Sequence, residues 1–563
     1  MSVDINQLEL NYLGVNQLGS NQLGSNQITS KQLGPNIIIE DNDDIADFEE
    51  KKVLKRGLKQ RHIQMIALAG TIGTGLFLGS GGAILDGGPA GAFMGYLFVG
   101  VFVAGVVISI AELSALVPLS GGIVRHSHYF FDPALSFAQG WNTVYSTLIT
   151  LPAEITAAAV IIDFWTLKIN NAVWITILGM LLFISNLFFV RIYGELEFAF
   201  AMLKIMLIIG LIIMGLVVDL GGGPDHTRIG FYYWQNPGPF VQYLDIPGTL
   251  GRFLGFWATF ANAAYAYSGI DSISVAASET QNPRQAIPKA AKRIFFRIFL
   301  FYVIAILIVS MIVPSNDPNL LNPGGNVGAA LSPFVIAANR AGIKVLPHII
   351  NAVVLTSAWS SGNSGMLNGS RALYGLAIEG HAPSIFKKVN RFGIPWIAVC
   401  SIGAFLLLAY MSVSDNASLV FTWFQDLVGS AALVLWIVIC MVYLRFYYGC
   451  RAQGIDRHRE LPWAGPFQPY AAWISAFAFT LILITGGFPV FTTGNWNSQK
   501  FVGSYFNIPL ILILYFSYKL VKRTKIVSLH EMPIRAFIQV AQDNPERPDP
   551  PMTGWARLGF LWS

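Results

Sequence analysis

The chain has 563 residues, of which 54% are apolar and only 12% are charged, about half the charged fraction of an average soluble domain. Its mean hydropathy is +0.54. These values exclude a disordered chain, which needs low hydrophobicity and high net charge, and they are far from those of a soluble multidomain enzyme. The net charge is +5, and the lysines and arginines lie beside long apolar stretches. This placement indicates membrane topology and not nucleic-acid binding.

The first 50 residues differ from the rest of the chain. Residues 16–20 read NQLGS, residues 21–25 repeat them, and the pattern then decays. Because the repeat unit is so small and the run so short, we predict a low-complexity tail and not a stacked repeat fold. The basic patch at residues 51–61 is typical of the cytoplasmic flank of a span, where it meets anionic membrane lipid.

Apolar stretches of about 20 residues, the length of a transmembrane helix, recur along the chain. Their predicted starts are Ile63, Gly88, Ala134, Asn171, Phe198, Phe253, Ile298, Ile349, Pro395, Leu427, Tyr470 and Val502. The sequence therefore predicts an all-α polytopic membrane protein with about 12 transmembrane helices.

Lysine and arginine are unequally divided between the two sides of these spans. With the N-terminus inside, the inner segments hold roughly four times as many as the outer segments, as expected for cytoplasmic loops. The outer ones are Lys168, Arg228, Arg252, Arg340, Lys344 and Lys500. We therefore predict a cytoplasmic tail at residues 1–50, a transmembrane domain at 51–525 and a second cytoplasmic tail at 526–563.

The first and sixth spans are each interrupted by residues that disfavour helix. The first contains GTIGTG at residues 70–75, and the sixth contains YSGID at residues 267–271. Unwound backbone in a bilayer needs surrounding protein or a wet cavity, and interruptions at matching positions of two halves point to a transporter's substrate site. The two spans would then each begin a five-helix repeat. The alternative is close helix packing, since Gly75 and Gly79 form a GxxxG pair.

Four ionisable residues lie inside predicted spans, at a cost of roughly 2.5–3.5 kcal/mol each on insertion scales. Glu112 lies near a cytoplasmic end, where a structural salt bridge and a functional role are both open. Glu154 lies in a long apolar stretch and favours a cavity or proton role. Lys204 favours a proton-coupling role over simple structural pairing, since a buried lysine can exchange a proton. Asp271 follows the second break and would either orient unwound backbone or gate the site.

A series of short motifs connects these features. They read GTIGTGLF at 70–77, GG at 81–82, GGP at 87–89, YGE at 193–195, SETQNPR at 278–284, SPF at 332–334, AGIKVLPHIINA at 341–352, GNS at 362–364 and SRALY at 370–374. In order and spacing they resemble the fungal amino acid permeases of the amino acid–polyamine–organocation (APC) superfamily, over roughly residues 51–525.

The resemblance implies a five-plus-five inverted repeat with broken helices 1 and 6, plus two extra helices. It also implies uptake of L-amino acids with protons across the plasma membrane, without a cofactor. Proline-type or other neutral substrates are favoured by the tail sequence PPMTG at 550–554. Asp271 and Ser268 depart from the family pattern, so the substrate range does not carry over. Trafficking and ubiquitination machinery is expected to act on the cytoplasmic tails.

The substrate site is expected at the two breaks. The helix that starts at Gly73, Thr74 and Gly75 should hold the substrate carboxylate, because its free N–H groups and positive dipole end attract anions. The acceptors expected for the substrate ammonium are the backbone carbonyls of Thr71, Ile72, Tyr265, Tyr267 and Ser268. Since similar superfamily members place an aromatic residue there, the Tyr265 ring should cover the substrate side chain.

Coupling to protons and not to sodium is expected from Lys204. In sodium-coupled proteins of this fold, which the chain resembles, a cation lies between helices 1 and 8. Lys204 would put an ammonium there, near the hydroxyls of Thr356 and Ser357. Glu154 is the next candidate for the proton.

Other functions are weaker on the same residues. No nucleophile–base pair, phosphate loop or metal-ligand cluster indicates an enzyme or a metal site, and no filter-like repeat indicates an ion channel. A non-transporting amino acid receptor on this fold remains open, although such receptors tend to carry a longer N-terminal domain.

Overall fold

The computed structural model describes residues 73–118, 121–166, 168–188, 190–224, 226–270, 282–321, 332–390, 393–414 and 417–546. The main helices are α1 (Gly75–Leu116), α2 (Pro133–Ile162), α3 (Asn171–Phe188), α4 (Val190–Asp219), α5 (Gly248–Ala266), α6 (Pro283–Ile298), α7 (Ile304–Ile312), α8 (Leu346–Ile378), α9 (Trp396–Val413), α10 (Ala417–Ala452), α11 (Tyr470–Thr485) and α12 (Asn507–Lys522). The other helical segments are Ile123–Phe130, Tyr232–Gln235, Tyr243–Asp245, Phe299–Val303, Pro318–Leu321, Pro333–Arg340, Ser384–Lys387, Arg457–Glu460, Phe488–Phe491, Ser498–Tyr505 and Ile534–Asp543. These described ranges contain no β-strand.

The helices agree with a multi-pass membrane protein. Within the described ranges, seven helices are long and apolar enough to cross a bilayer, or eight if the bent pair Ser498–Tyr505 and Asn507–Lys522 forms one span. The predicted starts from Gly88 onward fall in described helices, within or outside this set, or next to their ends, whereas Ile63 lies outside the described residues. The 33-residue helix α8 is not among the seven, and it carries buried serine and asparagine side chains along its length.

Helix α1 consists of two arms that meet at Gly88, where the second span was predicted to begin. Gly88 has φ +73°, and a Cβ at this position would lie 2.8 Å from the Pro239 carbonyl oxygen. The amide of Ala90 donates a hydrogen bond to the same oxygen at 2.9 Å. Only glycine fits this positive φ and close approach, and Pro89 then starts the second arm without needing an amide partner.

The predicted interruptions lie at helix ends. Helix α1 begins with a π-helical turn at Gly75–Gly79, a geometry frequent at functional sites. Helix α5 ends at Ala266 and is followed by a turn in which Gly269 has φ +87°. Residues before Gly73 and from 271 to 281 lie outside the described part of the chain, so one side of each break is described.

The centre of the molecule brings four helices together. Helix α5 packs along α1, and α8 packs along α2. The apolar core beside them includes Leu151 and Ile155 of α2, Leu182 of α3, and Met366 of α8. This packing brings the start of α1 next to the end of α5, and it brings Gly73, just before α1, close to Ser361 of α8.

Helix α2 is anchored at its start by Asp132. Its carboxylate accepts hydrogen bonds from the Ala134 amide at 2.8 Å, the Thr524 hydroxyl at 2.8 Å and the Tyr515 hydroxyl at 3.1 Å, and it pairs with Lys519. Burial raises the pKa of Asp132, but the hydrogen bonds from Lys519, Ala134 and Thr524 outweigh it and hold the pKa below its ordinary value. The ionised carboxylate therefore ties the end of α12 to the start of α2 at neutral pH.

Candidate functional site

Thr74 lies where the start of α1 meets α2 and α5. Its hydroxyl donates a hydrogen bond to Glu154 Oε2 at 3.1 Å and lies 3.1 Å from the Tyr265 hydroxyl. A hydroxyl has one proton to donate and lone pairs to accept, so the bond to the carboxylate leaves Tyr265 as the donor to Thr74. The Thr74 side chain is fully buried. One small side chain thus joins the first predicted break and the last turn of α5 to a carboxylate of α2.

Glu154 extends this contact to α8. Its Oε1 accepts a hydrogen bond from the Ser361 hydroxyl at 3.0 Å, and the side chain is only 4% exposed. A Cβ added at Gly73 would lie 3.9 Å from both Glu154 Oε1 and Ser361 Oγ. We name Thr74, Glu154, Tyr265 and Ser361 the break cluster. It contains two of the predicted binding residues and the predicted cavity carboxylate.

A second buried carboxylate lies beside the break cluster. Both oxygens of Glu197 accept from the Ser360 hydroxyl, at 3.0 and 2.9 Å, and Ser364 donates a further hydrogen bond. Lys204 interacts electrostatically with both Glu197 and Glu154. Its side chain is 1% exposed and that of Glu197 is 2% exposed. Lys204, a predicted site residue, therefore interacts with two carboxylates. Glu154 was also predicted as a site residue, and Glu197 was not.

The serines of α8 were mostly missed by the sequence analysis, which chose Thr356 and Ser357 near Lys204. The Thr356 hydroxyl donates to the Val353 carbonyl of its own helix at 2.7 Å, and Ser357 is buried. A usable signal was present, because residues 357, 360, 361 and 364 are all serine. This i, i+3, i+4, i+7 spacing puts them on one helix face.

Gly75 lies at a close helix approach, where a Cβ would lie 2.7 Å from the Ala266 Cα. At Gly79 a Cβ would lie 3.0 Å from Gln425 Nε2, the end of a flexible side chain. The packing alternative is therefore supported at Gly75, where the neighbour is backbone. A role for the Gly75 amide in binding stays a prediction, since packing and amide exposure concern different sides of the backbone.

The two other predicted residues of the second break lie at the end of α5. The Tyr267 side chain is fully buried, stacks on Tyr302 with ring centroids 4.6 Å apart, and donates to the Tyr96 carbonyl at 3.0 Å. The Ser268 amide donates to the Tyr265 carbonyl at 3.0 Å. The Tyr267 side chain thus fixes the turn, and any contact with substrate would come from its backbone. Thr71, Ile72 and Asp271 lie outside the described residues.

Glu112 is engaged in a structural ion pair, one of the two roles left open for it. The guanidinium of Arg457 donates to its two oxygens at 2.7 and 2.6 Å. The Tyr443 hydroxyl and the Gly465 amide also donate to Oε2, at 2.9 and 2.7 Å. These bonds satisfy a fully buried carboxylate, and they favour the salt-bridged role.

Comparison with known proteins gives consistent matches over most of the chain. Residues 62–531 match the sequence model of the family described as "Amino acid permease". A dicarboxylic amino acid permease of Saccharomyces cerevisiae is 38% identical over 87% of this chain and 81% of its own length. A proline-specific permease of Emericella nidulans is 40% identical over 85% of this chain and 87% of its own length. A lysine-specific permease of Saccharomyces cerevisiae is 37% identical over 85% and 77%.

Proposed function

The chain belongs to the amino acid permease family, and we propose that it takes up amino acids together with protons across the plasma membrane by alternating access. It is a multi-pass transporter and not an enzyme. The observation that carries the proposal is the position of Lys204. This buried ammonium interacts with Glu154, which in turn bonds Thr74 at the start of α1. A proton site and a substrate site are thereby in electrostatic contact.

The start of α1 would bind the substrate carboxylate. Helix N-termini offer free N–H groups and a positive dipole end to anions, here at Gly73, Thr74 and Gly75. The substrate ammonium would meet the carbonyls of Thr71 and Ile72 and those of Tyr265, Tyr267 and Ser268. Glu154 lies beside the carboxylate end of this site, 3.1 Å from the Thr74 hydroxyl, and the Lys204 ammonium would offset its charge when the substrate carboxylate binds. The N–H groups would then complement the carboxylate of a zwitterionic substrate, and the backbone carbonyls would complement its ammonium.

Coupling would follow from the charge state of Lys204. When protonated, Lys204 attracts Glu154 and so supports the contact between α2 and the start of α1. When it loses the proton, that attraction disappears and the start of α1 is freer to move. Asp271 would act in the cavity beside the second break. Through this protonation and deprotonation of Lys204, the proton gradient would favour release of the substrate into the cytoplasm.

The test is gradient-driven accumulation by the purified chain in liposomes, with a mixture of radiolabelled L-amino acids. We expect accumulation with an inward proton gradient in the absence of sodium. Lys204→Ala should lose accumulation but keep exchange of external for internal amino acid, because the binding groups remain. Lys344→Ala removes an exposed lysine and serves as the matched control. Full accumulation by Lys204→Ala would remove this lysine from the mechanism and leave Glu154 as the candidate.

The substrate itself is left to measurement. The relatives named above are described as permeases for dicarboxylic amino acids, proline and lysine, which differ in charge. We propose neutral or proline-type substrates, because the tail sequence PPMTG at residues 550–554 resembles that of proline-type permeases. A competition panel of the natural amino acids against labelled proline tests this. Strong competition by aspartate or lysine alone would contradict it.

The proposed setting is the plasma membrane, with both termini in the cytoplasm. The inner excess of lysine and arginine supports this orientation. Residues 51–525 would form the membrane domain, in contact with lipid. The flanking tails, 1–50 and 526–563, would be accessible to trafficking and ubiquitination machinery.

A further inference from the structure

Two buried carboxylates share one ammonium in the described part of the chain. Glu154, Glu197 and Lys204 are each at most 4% exposed, and Lys204 interacts with both acids. One positive charge neutralises only one carboxylate. Burying the second as an unpaired anion is costly, so the trio favours holding a further proton that can move among its members.

The two acids of this trio bond different serines, which are adjacent residues of α8. Ser361 donates to Glu154, whereas Ser360 donates to both oxygens of Glu197. Because consecutive residues of α8 hold the two acids, the acids lie side by side along this helix. Glu154 also bonds Thr74 in the break cluster. Among the described residues, Glu197 instead accepts hydrogen bonds from Ser360 and Ser364 of α8.

Glu197 also lies closer to the inner end of α4 than Lys204 does. The two residues are seven positions apart, about two helical turns, and therefore share a face of the helix. Helix α4 begins at Val190, which the proposed orientation puts near the cytoplasm. Glu197 is therefore on the cytoplasmic side of Lys204 along α4, while Ser360 and Ser361 hold the two acids on consecutive residues of α8.

We propose that Glu197 is the inner proton acceptor for Lys204. The proton would leave Lys204 Nζ and bind a carboxylate oxygen of Glu197, so that an ion pair becomes a neutral amine and a neutral acid. Glu197 would then release the proton to cytoplasmic water, and Lys204 would regain one from the side of Glu154. Ser360 and Ser364 hold Glu197 in place for this step. The inference rests on the proposed proton coupling and adds a residue that was not predicted as part of it.

The experiment uses liposomes and the labelled L-amino acid mixture, with internal pH followed by a dye. Glu197→Gln should reduce gradient-driven accumulation about tenfold while exchange continues, since the loss of one charge-assisted partner is of that size. Glu197→Asp should restore part of the accumulation. The dependence of accumulation on internal pH, present in the parent chain, should flatten in Glu197→Gln, which a purely structural role would not cause.

The serine pair provides a matched control. Ser360→Ala should lower accumulation by about threefold with an unchanged half-saturation concentration, because Glu197 loses one of its hydrogen bonds but keeps that from Ser364. Ser361→Ala should instead raise the half-saturation concentration, because its partner Glu154 bonds Thr74 at the start of α1. If Glu197→Gln does not fold, the Ser360 result decides, and equal behaviour of the two serine variants overturns the proposal.

Failure of this inference is distinguishable from failure of the coupling proposal. If Lys204→Ala loses accumulation while Glu197→Gln accumulates as the parent chain does, only the role of Glu197 is overturned. If Lys204→Ala also accumulates normally, the coupling proposal is overturned with it.

Discussion

Thr74 and Gly73 are neighbours with different physical requirements. Thr74 needs a hydroxyl, because this group joins a carboxylate of α2 to a phenol of α5. Gly73 needs open space beside its backbone, and a Cβ there would lie at ordinary contact distance from Glu154 and Ser361. A methyl group therefore fits at Gly73, but a longer side chain would enter the space in which the ligand must meet the backbone.

A graded series at Gly73 tests the carboxylate site. Gly73→Ala should keep most of the uptake, whereas Gly73→Leu should abolish it while the protein still reaches the membrane. The measurement is the initial rate of labelled amino acid uptake, divided by the amount of protein at the cell surface. Normal uptake by Gly73→Leu would remove the start of α1 from the binding site.

Elements of the bundle are joined by buried charge as well as by apolar packing. The inner part of α1 is held to the segment after α10 through Glu112 and Arg457, which are 345 residues apart in sequence. The Arg457 guanidinium also lies over the Tyr447 ring, 4.7 Å from its centroid. A buried pair of this kind is costly to break, because either partner alone is left as an unpaired charge.

We expect Glu112→Gln and Arg457→Leu each to destabilise the protein by about 3–5 kcal/mol. The double variant should lose less than the sum of the two, because no buried charge is left without its partner. The readout is the thermal unfolding of the purified protein in detergent, with Arg459→Ala as the control. Arg459 pairs with Asp456 at an exposed position, where an ion pair contributes little. Additive effects of the single variants would contradict the coupling.

At the scale of the whole molecule, the C-terminal segment, residues 526–546, contacts the ends of several helices. The Val527 amide donates to the Phe131 carbonyl at 2.9 Å, and Gln453 Nε2 donates to the Leu529 carbonyl at 2.9 Å. Glu546 accepts from the Arg284 amide at 3.0 Å at the start of α6. The lysine and arginine count predicts all three contacted regions to be cytoplasmic, so the packing agrees with one consistent orientation.

Topology reporters test this orientation. A reporter fused after Ser563 leaves the contacts of the C-terminal segment intact and should be cytoplasmic. A reporter inserted after Gly223, where a Cβ would have open space, should be external. Protease protection or a compartment-sensitive fluorophore provides the measurement. A cytoplasmic signal at Gly223 would show that a span before it was miscounted.

Much of the helical architecture was accessible from local sequence. Long apolar runs predicted the helices from Gly88 onward, and the glycine-rich interruptions predicted where α1 begins and α5 ends. These features depend on neighbours within about 20 residues, because hydrophobic length and backbone freedom are local properties. For the same reason the unusual lysine and glutamate at positions 204 and 154 could be identified as chemically important before their surroundings were known.

The partners of those residues could not be identified in this way. Thr74 meets Tyr265 across 191 residues and Glu154 across 80, and Glu197 was not among the predicted site residues. Each such contact depends on how far a helix is rotated about its axis and which helix lies beside it. Helical spacing shows that Ser360 and Ser361 share a face, but the packing of α8 against α2 and α4 assigns Ser361 to Glu154 and Ser360 to Glu197.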